Sequence, residues 1–291
     1  MSSRSPAPLR SNLSEAAALR AGFQITRPQN CLITLASVLM GGWLGVHALP
    51  VPLWIAAFSA AAVMAGANAL NDLWDLETDR VNHPHRPLPS NRLSPRAAAV
   101  ECVVLMALGL GLSLFLPPEA IATAVFACGC LVAYNRRLKH VPLAGNLAVS
   151  LLCGLAFFYG GFAAGAAVPA AVPALFATLY HLGREILKDA QDIPGDRIAP
   201  GGTLPLSWGS ASSCRLAAGV YGLLILLTPV PYIFGLYGLP YLILVSLLDV
   251  MLAWIMFSVL RFPDTQGLRQ INRNLKAGMM LGLLAILAGT L

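Results

Sequence analysis

Two short acidic stretches hold most of the residues with which this 291-residue chain could do chemistry. They are Asn71-Asp72-Leu73-Trp74-Asp75-Leu76-Glu77-Thr78-Asp79 and Lys188-Asp189-Ala190-Gln191-Asp192-Ile193-Pro194-Gly195-Asp196, and together they contain seven of the thirteen acidic residues. The aspartates stand at 72, 75 and 79, and again at 189, 192 and 196: the same step of three then four, repeated 117 positions later. On a helix that step puts three carboxylates on one face. Like charges so close repel, and a divalent cation is the simplest agent that neutralises them. Hard oxygen ligands without His or Cys favour Mg²⁺, which binds through a few carboxylates together with a substrate's phosphates. Asp72, Asp75, Asp79, Asp189, Asp192 and Asp196 are thus the candidate metal ligands. Asp72, Asp75, Asp192 and Asp196, with Lys188, are the candidate catalytic residues. The plainer alternative, carboxylates paired with neighbouring arginines, suits one cluster better than two matched ones.

Basic residues are interspersed with these acids: Arg80, Arg86, Arg92, Arg136, Arg137, Lys139, Arg184, Lys188 and Arg197. Acids alone would suit a cation pathway. Acids that hold metal, ringed by bases, suit an anionic metal-bound group such as a diphosphate. Arg184 and Lys188 precede the second aspartate set at helical spacing, so they share its face.

The elements that must position these groups are membrane helices. Hydrophobic residues make up 57% of the chain and charged residues only 11%, whereas a soluble domain carries about 25% charged residues. This excludes a disordered chain and a nucleic-acid-binding one. Apolar runs of about 20 residues fit helices and not the ~10-residue alternating strands of a membrane barrel. They fall near 27–49, 52–71, 96–116, 119–134, 143–163, 170–188, 208–228, 239–260 and 272–291, with prolines at the breaks. The expected fold is all-α and integral to the membrane, with nine transmembrane helices. The constant aspartate offset corresponds to four helices and predicts two pseudo-repeated four-helix units plus a ninth helix.

All nineteen lysines and arginines lie before the first span or around the even-numbered connections, 2–3, 4–5, 6–7 and 8–9. The other loops hold none. The positive-inside rule then places the N-terminus in the cytoplasm, the C-terminus outside, and the aspartate motifs at the cytoplasmic face of a cell membrane. Residues 1–21 are polar and read as no signal peptide. Ser11–Gly22 is expected to form a short helix lying on the membrane. The domain division is 1–22, a polar segment, and 23–291, the membrane domain. The six cysteines lie in or beside apolar runs and read as small core residues.

Asn71-Asp72-x-x-Asp75-x-x-x-Asp79 and Asp192-x-x-x-Asp196 resemble the paired motifs of the UbiA superfamily of intramembrane prenyltransferases, as do Arg27-Pro28-x-Asn30 and the run from Asp79 to Ser90. The resemblance covers about residues 23–291. It implies nine helices around a central cavity, two Mg²⁺ ions on the aspartate motifs, and a prenyl diphosphate whose chain lies in an apolar tunnel. Ionisation would release diphosphate, and an acceptor would capture the allylic cation. Chemistry of that kind needs a dry cavity, which a membrane bundle supplies. Asn68, Asn71, Arg27, Asn30, Arg86, Arg136, Lys139, Asn146 and Arg184 are the substrate-binding candidates.

Within the superfamily, Arg27-Pro-Gln-Asn-Cys31, Gly66-Ala-Asn68, Pro142-Leu-Ala-Gly-Asn146 and Gly183-Arg-Glu-Ile-Leu-Lys-Asp189 resemble the digeranylgeranylglyceryl phosphate synthase branch. One departure is Ser90-Asn91, where the family more often has Ser-Gly. The branch implies geranylgeranyl diphosphate as donor and a hydrophobic or amphipathic acceptor such as geranylgeranylglyceryl phosphate, with membrane lipids as the surrounding partners. Arg136, Arg137, Lys139 and Arg184 are candidates for the second anion site that such an acceptor requires. Aromatic acceptors of the 4-hydroxybenzoate, homogentisate or chlorophyllide type remain the alternative, and a transporter is the rival outside enzymes. Asp249, placed mid-span where a charge is costly, is expected to be protonated or paired. His181 reads as a packed neutral residue, and His83 and His85 as loop residues. Gly41-Gly42 and Gly160-Gly161 read as close helix packing.

Overall fold

The computed structural model describes residues 15–198 and 201–291, all of it helix and connection. The α-helices are α1 (Glu15–Ile25), α2 (Pro28–Val46), α3 (Val51–Trp74), α4 (Leu76–Asn82), α5 (Pro95–Ser113), α6 (Pro118–Arg136), α7 (Ala144–Ala163), α8 (Ala171–Asp196), α9 (Leu204–Trp208), α10 (Ser210–Leu227), α11 (Val230–Ile233), α12 (Leu239–Val259) and α13 (Thr265–Thr290). Helix α1 continues across the 22/23 boundary drawn in the sequence, and residues 11–14 of the expected surface helix lie outside the described residues.

Local chemistry explains where the helices start. Pro28, Pro52, Pro95, Pro118 and Pro240 sit in first turns, where a missing N–H costs nothing. Ser94 caps α5 by accepting from the Ala97 N–H at 3.2 Å, and Asp264 caps α13 by accepting from the Gly267 N–H at 2.8 Å.

Among the described residues, seven helices are long and apolar enough to cross a membrane. Among the described residues two more are longer, at 26 residues each, yet less apolar: α8 and α13. Their polarity has a place to go. Arg184, Lys188 and Asp192 of α8 and Asn272 and Lys276 of α13 face one shared interior space.

The long helices form a ring. Helix α2 packs on α3, α3 on α5, α5 on α6 and α6 on α7; then α7 packs on α8, α8 on α10 and α10 on α12. Helix α13 sits between α12 and α2 and closes the circuit. The pairs α2–α3 and α3–α5 recur as α7–α8 and α8–α10, with α2 against α7 at the centre. At that central crossing Gly41 lies on the Phe157 backbone and Gly160 on the Val38 carbonyl, with no room for a side chain on either. The short helices α4 and α9 follow α3 and α8 at the mouth of the ring.

Candidate functional site

A cavity of about 510 Å³ runs down the middle of the ring. Its inner part is apolar, with Val63, Leu152, Phe176, Val245 and Leu283 on its walls. The hydroxyls that border it there are already satisfied. Tyr159 and Ser59 bond each other at 2.8 Å, Ser59 donates to the Gly109 carbonyl at 2.7 Å, and Tyr241 donates to the Thr228 carbonyl at 2.6 Å. The inner end therefore offers an apolar chain contact area in which these hydroxyls are already paired. The outer end is charged, with Arg27, Arg86, Arg184, Lys188 and Asp192 at the wall.

The first aspartate set spans a helix junction. Helix α3 ends at Trp74, Asp75 has φ −94 and ψ 11, and α4 starts at Leu76. The Asp75 N–H still donates to the Asn71 carbonyl at 2.9 Å and the Asp79 N–H to the Asp75 carbonyl at 2.7 Å, so the common face survives the bend. The second set lies wholly on α8, whose last turn contains Pro194.

Each carboxylate of the first set has a basic partner. Asp72, 1% exposed, pairs with Arg27 and lies 3.6 Å from Arg86. Arg86 bonds Asp79 at 2.5 Å, and Lys139 pairs with Asp75. Arg27 reaches Asp72 from a left-handed backbone position, φ 50, at the start of α2; for a residue with a Cβ that position costs roughly 1–2 kcal/mol. In the second set, His83 Nε2 stands 3.4 Å from Asp192, and Asn146 donates to Asp189 at 2.8 Å. Arginine and lysine thus do what the sequence reading assigned to a metal, and among the described residues no three carboxylates gather closely enough to hold one. The donors nonetheless suit a hard divalent cation. They are all carboxylate oxygens, and the two sets approach each other. Burial first, then the charge of Asp192 and more weakly that of Asp75, push the Asp196 carboxyl up to about 7. Burial also raises Asp79, against the pull of Arg86. A cation would relieve this crowding.

Half of the sixteen expected site residues line the cavity, while Asp72, Asp75, Asp79 and Asp196 lie outside its lining. Arg27, Asn30, Asn68, Asn71, Arg86, Arg184, Lys188 and Asp192 line the cavity. Asn68 is buried and donates to the Thr26 carbonyl at 2.8 Å, tying α3 to the start of α2. Lys139, Asn146 and Asp189 border a separate space of about 10 Å³ beside it. Arg136 and Arg137 are exposed and border neither. Asp249 is outside the site and accepts from the Thr228 hydroxyl at 2.8 Å, the paired condition expected of it.

Four residues were not singled out from the sequence. Glu185, 5% exposed, bonds Arg184 at 3.0 Å and Lys188 at 2.9 Å and so sets both bases in the wall. Its step of three to Lys188 was a usable signal. His83, read as a loop residue, lines the cavity. Asn272 and Lys276 also line it.

The model of the UbiA prenyltransferase family matches residues 32–277. A digeranylgeranylglyceryl phosphate synthase of Methanopyrus kandleri is 38% identical over 273 residues, which are 94% of this chain and 100% of the relative. A solved structure of a digeranylgeranylglyceryl phosphate synthase superposes with a TM-score of 0.73 at 30% identity, over 94% of this chain and 98% of the other. A UbiA homologue from Archaeoglobus fulgidus, solved with GPP and Mg²⁺ bound, shares the fold with a TM-score of 0.63 at 18% identity, over 91% and 99% of the two chains.

Proposed function

This chain belongs to the UbiA prenyltransferase family, and from that premise we propose that it transfers a geranylgeranyl group from its diphosphate to an isoprenoid glyceryl phosphate at the mouth of the cavity. It is a prenyltransferase and an integral membrane protein. The observation that carries the reading is the union, in one cavity, of an apolar inner end with an outer end where Arg86, Lys188 and Asp192 converge.

The chemistry follows from that geometry. The prenyl chain lies along the apolar wall and the diphosphate stays among the bases. The bond between the allylic C1 and the diphosphate oxygen breaks, and its electron pair leaves with the diphosphate. Arg27, Arg86 and Lys188 take up the developing negative charge. Mg²⁺ is the proposed cofactor, held by Asp72, Asp75, Asp192 and Asp196 with Asp79 and Asp189 beside them; when bound it supplies Lewis-acid charge to the leaving group. The solved relative with GPP and Mg²⁺ supports this assignment. The apolar wall keeps water from the allylic cation. The acceptor hydroxyl oxygen then bonds C1, and its proton leaves to a carboxylate of the mouth.

In this reading all nine long helices cross the membrane, α8 and α13 included, because their charged faces turn to the cavity and away from lipid. The recurring packing pairs support two four-helix units, with α13 as the addition. The Lys- and Arg-bearing loops put the mouth on the cytoplasmic side. The test is competition: geranylgeranylglyceryl phosphate and 4-hydroxybenzoate are offered together with one donor. Turnover of the glyceryl phosphate is expected. Exclusive turnover of the aromatic acid would overturn the acceptor and leave the prenyltransfer standing.

A further inference from the structure

At the inner edge of the charged end, the wall formed by α8 and α13 holds more cations than the described residues neutralise. Arg184 and Lys188 share one carboxylate, Glu185. Lys276 lines the same cavity, one turn along α13 from Asn272. It lies within electrostatic reach of Arg184 and Arg27, and among the described residues no carboxylate pairs with it. Two buried polar atoms of this wall lack a hydrogen-bond partner: Arg184 Nε and Asn272 Oδ1. Asn272 is anchored through its amide, which donates to Gln191 at 3.1 Å. Eight residues, about 12 Å of helix, separate Arg184 from Asp192. The cluster is therefore a second anion position, set back from the aspartate motifs.

Charge selects its occupant. Lys188 serves the diphosphate, and Arg184 with Lys276 against the shared Glu185 still leaves positive charge uncompensated in a cavity where unpaired charge is costly. A phosphomonoester carries about −1.5 to −2 near neutral pH and offers three acceptor oxygens. An aromatic carboxylate brings one negative charge and only two acceptor oxygens. A ligand with a phosphate and a neighbouring hydroxyl also matches the two unpartnered atoms, Arg184 Nε as donor and Asn272 Oδ1 as acceptor. We propose that Arg184, Lys276 and Asn272 form the subsite for the acceptor's phosphate, with Lys276 as the residue that selects phosphorylated over unphosphorylated acceptors. This rests on the glyceryl phosphate reading of the acceptor. It moves the second anion site from Arg136, Arg137 and Lys139, which border no part of the main cavity, to the α8–α13 wall.

The experiment uses the full-length Mg²⁺-supplied protein in detergent or nanodiscs. Steady-state constants are measured for geranylgeranyl diphosphate, geranylgeranylglyceryl phosphate and the phosphate-free geranylgeranylglycerol, in wild type, Lys276→Gln, Lys276→Arg and Asn272→Ala. Lys276→Gln is expected to raise the KM for the phosphorylated acceptor roughly tenfold, the scale of one charged hydrogen bond, and to leave the donor KM within about twofold. The preference for the phosphorylated acceptor should shrink by a similar factor, and Lys276→Arg should restore it. Asn272→Ala should weaken the acceptor and not the donor, which keeps the test alive if Lys276→Gln does not fold. Equal increases in donor and acceptor KM, or an unchanged preference, would overturn the subsite. Failure of the wild type to use the glyceryl phosphate at all would instead overturn the acceptor reading beneath it.

Discussion

Asn82 and Gly195 join the two aspartate motifs through one side chain. The Asn82 carboxamide oxygen accepts from the Gly195 N–H at 2.9 Å, while its nitrogen donates to the Asp192 carbonyl at 2.7 Å. The end of α4 is thereby bonded to the last turn of α8, and a Cβ on Gly195 would meet Asn82 Cγ and the Thr78 carbonyl, each at 2.6 Å. Asn82→Ala removes both bonds and should cost about 1–3 kcal/mol. Its kcat should fall more than tenfold, with the helical circular dichroism signal retained. Gly195→Ala should be at least as damaging, because backbone must move. Wild-type kcat in Asn82→Ala would show that the two motifs are positioned independently.

The aspartates are expected to act as one metal site. Asp72→Ala, Asp75→Ala, Asp192→Ala and Asp196→Ala should each lose on the order of a hundredfold or more in kcat. EDTA should abolish activity and Mg²⁺ should restore it. Full activity in any two of the four variants would refute the assignment.

Arg27 and Asp72 make a prediction about stability separate from catalysis. Arg27→Ala leaves the buried Asp72 with only Arg86, 3.6 Å away, and should destabilise the protein by about 1–3 kcal/mol. Adding Asp72→Asn removes the stranded charge, so the double variant should recover much of the melting temperature without recovering activity. A double variant less stable than Arg27→Ala would argue against the pair.

Metal binding should tighten with pH. The folded-state pKa of Asp196, about 7, is raised above the ordinary carboxylate value of 3.8. Between those values the folded metal-free protein keeps a proton that the unfolded chain has lost. The sign is therefore a loss of metal-free stability as pH rises toward 7, and a gain in metal affinity, since metal takes the deprotonated form. Mg²⁺ titrations at about pH 6 and about pH 8 should show the gain in wild type, with less of it in Asp196→Asn. Wild-type affinity that does not change between them would contradict the shift.

Orientation is tested at the chain end. A reporter fused after Leu291 should behave as external and one at the N-terminus as cytoplasmic. Two cytoplasmic signals would require an even number of crossings and would remove either α8 or α13 from the membrane.

The membrane class and the boundaries of the long helices were legible in the sequence, because hydrophobicity and proline act locally. The stretch read as 143–163 is α7, Ala144–Ala163, and 239–260 is α12, Leu239–Val259. The less apolar helices were read too short: α8 runs on to Asp196 and α13 begins at Thr265, because polar residues that face a cavity look like loop in a hydropathy window. The aspartate repeat was legible for the same local reason, since a step of three then four states which side chains share a face. The partners of those aspartates were not. Arg27 meets Asp72 across 45 residues, Lys139 meets Asp75 across 64, and Asn82 meets Asp192 across 110. Such meetings depend on which helices cross and how closely, here on Gly41 and Gly160 bringing α2 and α7 into backbone contact. The ring likewise decided that Arg136 stays outside while Lys276 of α13 is turned inward. Side-chain type and spacing determined what chemistry this protein can do; the long-range packing of the helices decided which charges face each other across the cavity, because electrostatic pairing follows distance in space and not along the chain.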